Sequence, residues 1–506
     1  MARRFRFPTG LLTVGVALGS VILVVQPGEV AAQVEAREYA ARRAALVATI
    51  DSGVIIAYGG VEPVNYWPSF FQLPAFHYLT GFDETNAVLM MVKRGRGAAA
   101  TMFVPRRDYS QARWVGTRTA PGALDAAIGI AGRDIAAFRP AIDSLAAMGL
   151  PIYVVPDAHA ADYAAEDSLT RGSRLLAQLR AAHPTLAIFS LDSAVNHLRA
   201  KKSAAEIALL RKAVQISARA HVEAMKATAP GCGENEIQSV LDGTFRRLGG
   251  DRPGYGSIVG SGPNATVLHY MKDDRVMRDG ELLLIDAATS YDHYSADVTR
   301  TLPVNGKFTT EQREIYQLVR DVQEAYVRQL RPGSAEGMAF DSARTVANRG
   351  LVRLGLIESD SAHLDGPEAW KCPPEGCSQR ALYFWHGYGG HGIGTEVHDP
   401  AQYYEGGKVF RIGDVMTVEP GIYVDSAFVA SLPDTPRNRA MRTRLAGAMA
   451  RYNGIGVRFE DDYVVTATGT EWLSKGAPRE IREIEAMMKQ KAPDLPGGGS
   501  CGEPRT

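Results

Sequence analysis

Cysteine is scarce in this chain, with four in 506 residues, and none is spaced from another cysteine or from a histidine as a structural zinc site requires. Cys232 and Cys501 have no evident mate. Cys372 and Cys377, in KCPPEGCS, are the expected disulfide, provided the turn between them brings their α-carbons within bonding range. An excess of charge is also lacking. Lys and Arg number 56 and Asp and Glu number 56, and setting aside Arg3, Arg4, Arg6 and Glu29 of the first 32 residues leaves 53 against 55. A net charge of about −2 gives no basis for binding nucleic acid. No repeat of about 20–50 residues is visible, which excludes solenoids and propellers.

Three arginines, the apolar stretch Leu11 to Val25, and the small-residue run Val30-Ala31-Ala32 have the form of a signal peptide cleaved after Ala32. The expectation is an exported protein, periplasmic or secreted. An uncleaved membrane anchor is the alternative, and the apolar core is short for a span. The remaining length calls for at least two domains. Residues 33–198 contain strand-like runs such as GVIIAYGG, AVLMMV and PIYVVP between helical stretches, an α/β pattern without a ligand set. A capping box at Ser203 and Glu206 opens the second domain, 203–476, and Ile207, Leu210, Val214 and Met225 form a helical stripe that ends before Pro230-Gly231. A second amphipathic helix after Thr309 carries Ile315, Val319, Val322 and Tyr326. Residues 477–506 read as a helix and a flexible tail.

What the chain does have is acids set in apolar frames. ELLLIDAA, residues 281–288, reads as a buried strand with Asp286 inside it, and an unpaired buried carboxylate costs several kcal/mol. SADVTRTL, residues 295–302, reads as the next strand. With Tyr291 and Asp292 at a hairpin tip, Asp286 and Asp297 face each other directly, and two carboxylates at that distance repel unless a proton or a metal is shared. Glu419 ends an apolar run in GDVMTVEPGIYV, just before Pro420; Glu460 follows Val457 and Phe459 in GIGVRFEDDYVVT, with Arg458 two positions earlier on the same face. GHGIGTEVHD gives His391 glycine neighbours and a second histidine, His398, seven residues on. Four carboxylates and one imidazole form an oxygen-rich pocket whose charge of about −4 two divalent cations would cancel, the arrangement of two-metal hydrolases.

The order Asp, Asp, His, Glu, Glu in these frames resembles the pita-bread dinuclear metallopeptidases, in the branch of Xaa-Pro aminopeptidase (aminopeptidase P) and prolidase. YLTGF and FVPRRD resemble that family's non-catalytic amino-terminal domain. The resemblance implies an α/β amino-terminal domain plus an α+β pita-bread catalytic domain. It places the metal ligands on Asp286, Asp297, His391, Glu419 and Glu460, with Glu419 also the proton shuttle. Substrate and transition-state roles fall on His269, in SIVGSGPNATVLHY, and on His398, with Arg458 a partner of the carboxylates. The family's further histidine stands four residues before the ligand, whereas His386 precedes His391 by five, leaving the role of His386 open.

The implied reaction is hydrolysis of the bond between an amino-terminal residue and proline by a metal-bridging hydroxide. A carboxylate-dominated set favours Mn²⁺, with Co²⁺ and Zn²⁺ as alternatives. Cleavage restricted to Xaa-Pro dipeptides, as by a prolidase, is the near alternative, and a non-catalytic peptide-binding homologue is the alternative of another class. The family's usual dimers or tetramers make a homo-oligomer the expectation. Two stretches exceed the family pattern: 357–380, with the cysteine pair, and 425–452, where Arg437, Arg439, Arg442, Arg444 and Arg451 are expected either to reach toward the pocket or to form a solvated or oligomer-contacting loop.

Overall fold

The computed structural model describes residues 33–62, 70–106, 108–155, 157, 170–384, 387–402 and 407–490. The segment 1–32, His386 and Cys501 lie outside them.

Gly53–Tyr58 is buried along its whole length, as the run GVIIAY demands, and forms the middle of a six-stranded sheet. It pairs antiparallel with Val88–Arg94 and parallel with Ile152–Val154. Gly97–Val104 and Ala131–Asp134 extend one side and Ile188–Ser190 the other. One face packs on Leu46, Phe76, Leu79 and Leu191, the other on Phe138, Ile142, Leu175 and Leu179, so helices cover both faces of the amino-terminal α/β domain.

The helix Ala204–Ala227 begins at the expected capping box: the Ser203 hydroxyl accepts from the Glu206 amide and the Glu206 carboxylate accepts from the Ser203 amide. It ends before the proline. Leu210, Val214 and Met225 are buried. Thr310–Val327 is likewise opened by a box, Thr309 with Gln312, and buries Ile315, Val319, Val322 and Tyr326 completely. Helices Glu234–Arg247, Glu336–Leu354 and Pro436–Tyr452 complete the outer layer.

Inside it lie short antiparallel sheets. Ile258–Ser261, Leu282–Asp286 and Thr299–Pro303 form one; Val415–Val418, Asp461–Thr466 and Gly469–Trp472 form another; Gly421–Tyr423 pairs with Gly456–Arg458. An isolated bridge between Thr299 and Glu460 joins the first set to the others. Each acid of interest sits where these strands meet.

The aspartate hairpin differs in register from the sequence expectation. Its tip is Asp292-His293, both with positive φ, at 48° and 69°, the two-residue turn whose twist matches the flanking strands. Asp286 therefore pairs with Thr299, not with Asp297. Moving the tip by one residue leaves both aspartates on one face, because side chains alternate with period two. They are diagonal neighbours rather than direct partners.

Candidate metal centre

Asp286 and Asp297 share one phenol. Tyr255 Oη lies 2.6 Å from Oδ1 of each. A phenol carries a single proton, so only one carboxylate receives it at a time. The other oxygen of Asp286 accepts from Arg458 Nη2 at 2.5 Å, and Arg458 also donates to the Tyr423 hydroxyl at 2.8 Å. Burial nevertheless raises Asp286 above the ordinary carboxylate range, outweighing the guanidinium. The backbone N–H of Asp297 donates to Asp462 at 3.1 Å.

His391 is delivered by a narrow loop. Its carbonyl accepts from the Thr417 amide at 2.8 Å and its amide donates to the Thr417 hydroxyl at 3.1 Å. This approach needs Gly390, where a β-carbon would stand 1.9 Å from Thr417 Oγ1. Nδ1 of His391 lies 3.1 Å from the Gly392 carbonyl, which accepts its proton and turns Nε2 toward the acids. Nε2 stands 3.5 Å from Asp297 and 3.4 Å from Glu419. Burial works to lower the His391 pKa, but these carboxylates outweigh it and push it up to about 9. The same imidazole, working against burial, holds Asp297 below its ordinary value.

The two glutamates come from strands that change partners. Val418 pairs with Asp461 and Gly421 with Arg458, so one unbroken register passes through the gap between the sheets and sets Glu419 opposite Glu460. Pro420, which has no amide proton, sits in that gap. Burial pushes Glu419 up to about 7. Glu460 rises far above the carboxylate range, through burial first and then Asp297, Glu419 and Asp286. Its Oε2 accepts from Thr299 at 2.7 Å, whereas Oε1 is buried with no partner.

These residues fit divalent cations. Asp297, His391 and Glu460 offer atoms within 4.8 Å of one another, and Oε1 of Glu460 is buried with no hydrogen-bond partner. No thiolate or lysine takes part. Carboxylates raised by burial and mutual repulsion are what a metal pair would relieve.

The other sequence candidates are nearby. The His398 ring lies 4.0 Å from that of His391, because Gly392 pairs with Asp399 across a tight hairpin. His269 is exposed, and the carbonyl before it, that of Leu268, accepts from Arg458 at 3.4 Å. Arg300, three residues beyond Asp297, pairs with Asp461 at 2.6 Å. Asp461 also accepts from Ser474, Trp472 and Arg479, which makes it a structural acid beneath the site.

Sequence reasoning missed Tyr255. It stands in GYGS ahead of Ile258–Ser261, where no periodicity singles it out; its signal is the flanking pair of glycines, and a β-carbon at Gly254 would stand 2.1 Å from Ser295 Oγ. The arginine-rich segment is corrected: most of it is the helix Pro436–Tyr452, with Met441, Leu445 and Met449 inward. Arg437 pairs with Asp365, Arg439 and Arg442 with Asp434, Arg444 with Glu358, and Arg451 with Glu311 and Glu314. None of these partners belongs to the metal centre. Cys372 and Cys377 are bonded, and Cys232 is a buried free thiol.

A family model described as metallopeptidase family M24 matches residues 208–467, and one described as the aminopeptidase P N-terminal domain matches 39–149. The Xaa-Pro aminopeptidase of Haemophilus influenzae is 35% identical over 425 residues, covering 83% of this chain and 88% of its own. That of Escherichia coli is 34% identical over 471 residues, covering 90% and 98%. Among solved structures, aminopeptidase P from E. coli with the inhibitor Pro-Leu superimposes with a TM-score of 0.73 at 31% identity, covering 90% of this chain and 99% of its own. Proline aminopeptidase P II from Yersinia pestis gives 0.74 at 30%, covering 90% and 100%. With an aminopeptidase P amino-terminal domain ahead of a pita-bread catalytic domain, this chain belongs to metallopeptidase family M24 and is a metallo-exopeptidase.

Proposed function

We propose that this chain is an exported Xaa-Pro aminopeptidase working with two divalent cations, Mn²⁺ by preference, held by Asp286, Asp297, His391, Glu419 and Glu460. The observation that carries the reading is the gathering of Asp297, Glu419 and Glu460 around Nε2 of His391, with Asp286 tied to Asp297 through Tyr255 and Oε1 of Glu460 buried without a hydrogen-bond partner. Bound cations supply a water of lowered pKa and a Lewis acid for the peptide carbonyl.

The chain's own residues do the rest. Glu419, raised to about 7 before metal binds, is the group suited to take a proton from water and give it to the departing proline nitrogen. His398, beside His391, and exposed His269 border the metal side of the site, where they orient the scissile carbonyl and stabilise charge on its oxygen. Arg458 holds Asp286 by charge and hydrogen bond, so that its oxygens stay ordered.

Proline is the substrate residue the relatives' names carry, and its tertiary amide resists ordinary exopeptidases. The test is hydrolysis of Xaa-Pro-Xaa tripeptides beside Xaa-Pro dipeptides, after chelation and Mn²⁺ add-back. Cleavage of dipeptides alone makes the chain a prolidase, and no cleavage of either removes the reading. Export rests on the segment 1–32 and on the Cys372–Cys377 bond, which fits an oxidising compartment. No helix among the described residues is long and apolar enough to cross a membrane. Sequencing the amino terminus of protein recovered outside the cytoplasm should find Gln33 first. A homo-oligomer is part of the proposal, and light scattering checks it.

A further inference from the structure

A second group of metal-ligating side chains lies away from the five acids and histidine, where the two domains meet. His77, from the helix Pro74–Thr80, and Asp83, just beyond that helix, belong to the amino-terminal domain. His293 is the second residue of the Asp292-His293 tip, carried by the hairpin that also holds Asp286 and Asp297. Nδ1 of His77 and Nε2 of His293 both stand 2.9 Å from the same oxygen, Asp83 Oδ1. One atom from each of the three residues falls within 4.8 Å of the others.

We propose that His77, Asp83 and His293 form an open, three-ligand zinc site that staples the amino-terminal domain to the tip of the catalytic hairpin. Two imidazoles and a carboxylate are a donor set that Zn²⁺ takes at about 2.0–2.2 Å, with water in the fourth position. Asp83 is half exposed, 52% at its side chain, which gives the ion an entry path and room for that water. The His77 ring is buried and the His293 ring largely so, and each has one nitrogen without a protein partner, Nε2 of His77 and Nδ1 of His293. Without an ion both rings donate to Asp83; with one bound, each ring carries its proton on the unpartnered side and gives the other nitrogen's lone pair to the metal.

The charge of the surroundings favours a cation. Asp251 accepts the His293 amide at 2.9 Å, and Asp292 is the neighbouring tip residue, so three carboxylates with Asp83 face two imidazoles. Burial raises Asp292 above its ordinary range; the His77 and His293 rings pull it down and the nearby Asp251 and Asp83 push it up. The His77 and His293 rings are stacked with centroids 3.8 Å apart and planes at 22°. Coordination tilts His293, the less buried ring at 11% exposure, so that both nitrogens converge on one ion. His293 lies four residues from Asp297 on one hairpin, so an occupied staple restrains the element that presents two carboxylates of the catalytic centre.

The test is the zinc content of the full-length protein by equilibrium dialysis and elemental analysis. His293→Asn is the principal variant, because asparagine tolerates the φ of 69° at this position. Asp83→Asn is the second. The expected result is that each binds one Zn²⁺ per chain fewer than wild type, that each loses the same Co²⁺ absorption bands, and that Glu460→Gln keeps them. Turnover of an Xaa-Pro peptide with catalytic metal present is expected to survive in His293→Asn. Equal zinc in wild type and both variants overturns the proposal and leaves the trio as two imidazoles hydrogen-bonded to one carboxylate. Loss of bands in Glu460→Gln but not in His293→Asn assigns the zinc to the catalytic centre and overturns it as well.

Discussion

Glu419 stands directly opposite Glu460 across an antiparallel pair, in the gap where both strands leave one sheet and join another. Like charges set opposite each other on a sheet repel, and here Glu460 is buried and Glu419 largely so, so the fold carries a penalty that protons or cations remove. Replacing Glu460 by glutamine keeps the shape and deletes one charge. The metal-free Glu460→Gln variant should therefore melt above metal-free wild type near pH 8, while the stabilisation that wild type gains on adding Mn²⁺ should largely vanish. Thermal unfolding with and without metal checks both halves. A variant that still gains as much as wild type would show that Glu460 is not a ligand.

The same penalty gives the metal-free protein a pH dependence of definite sign. Glu419 binds its proton up to about pH 7 in the folded chain but releases it near 4.5 when unfolded. Over that interval the native state holds more protons, so stability falls as pH rises. His391, raised to about 9 from 6.5, contributes stability that is full below 6.5 and is lost as pH rises through 9, the same direction. Urea midpoints of chelated protein should decline from pH 5 to pH 9. With Mn²⁺ present the decline should flatten or reverse, since the ligands must then be deprotonated.

The five candidate residues stood out in the sequence because each lies in a frame with a physical signature: a carboxylate inside an apolar run, or a histidine between glycines. Their pairing was less legible. The aspartate register depends on which two residues accept positive φ, and Asp292-His293 was a less conspicuous choice than Tyr291-Asp292. The opposition of Glu419 and Glu460 depends on two strands holding one register across a break, which no local pattern reveals. The arginines of 425–452 looked available because their partners, Asp365 and Glu358 among them, are remote in sequence. Capping boxes at Ser203 and Thr309 are local and were readable as such.

Tyr255 is the residue that sequence left out, and its removal isolates the shared phenol. Tyr255→Phe deletes the single donor that Asp286 and Asp297 share, without changing the ring. The fold should persist, because Arg458 still holds Asp286. Metal affinity is expected to drop by about 10–100-fold, the usual effect of losing a hydrogen bond that orients a ligand. Titration with Mn²⁺, read by recovery of peptidase activity, measures the shift. An unchanged midpoint would mean the phenol does not orient these carboxylates once metal is bound.

Asp399 offers a test of how the amino-terminal side supports the centre. Its carboxylate takes Lys202 at 2.8 Å and Arg199 as well, and it follows His398 directly in sequence. Its main chain, paired with Gly392, holds the hairpin that sets His398 beside His391. Asp399→Ala leaves two buried cations with reduced compensation, since Arg199 keeps Glu396 at 2.7 Å and Lys202 keeps the Pro400 carbonyl at 2.8 Å. Removing one partner of a buried ion pair costs about 3–5 kcal/mol, and these remaining contacts place the expected loss near the lower end. Urea unfolding reads that loss, and a change below about 1 kcal/mol would show the cluster to be solvated. Lys202→Met in the Asp399→Ala background should recover part of the stability, because one of the stranded charges is then gone, whereas a merely steric role for Asp399 predicts no recovery.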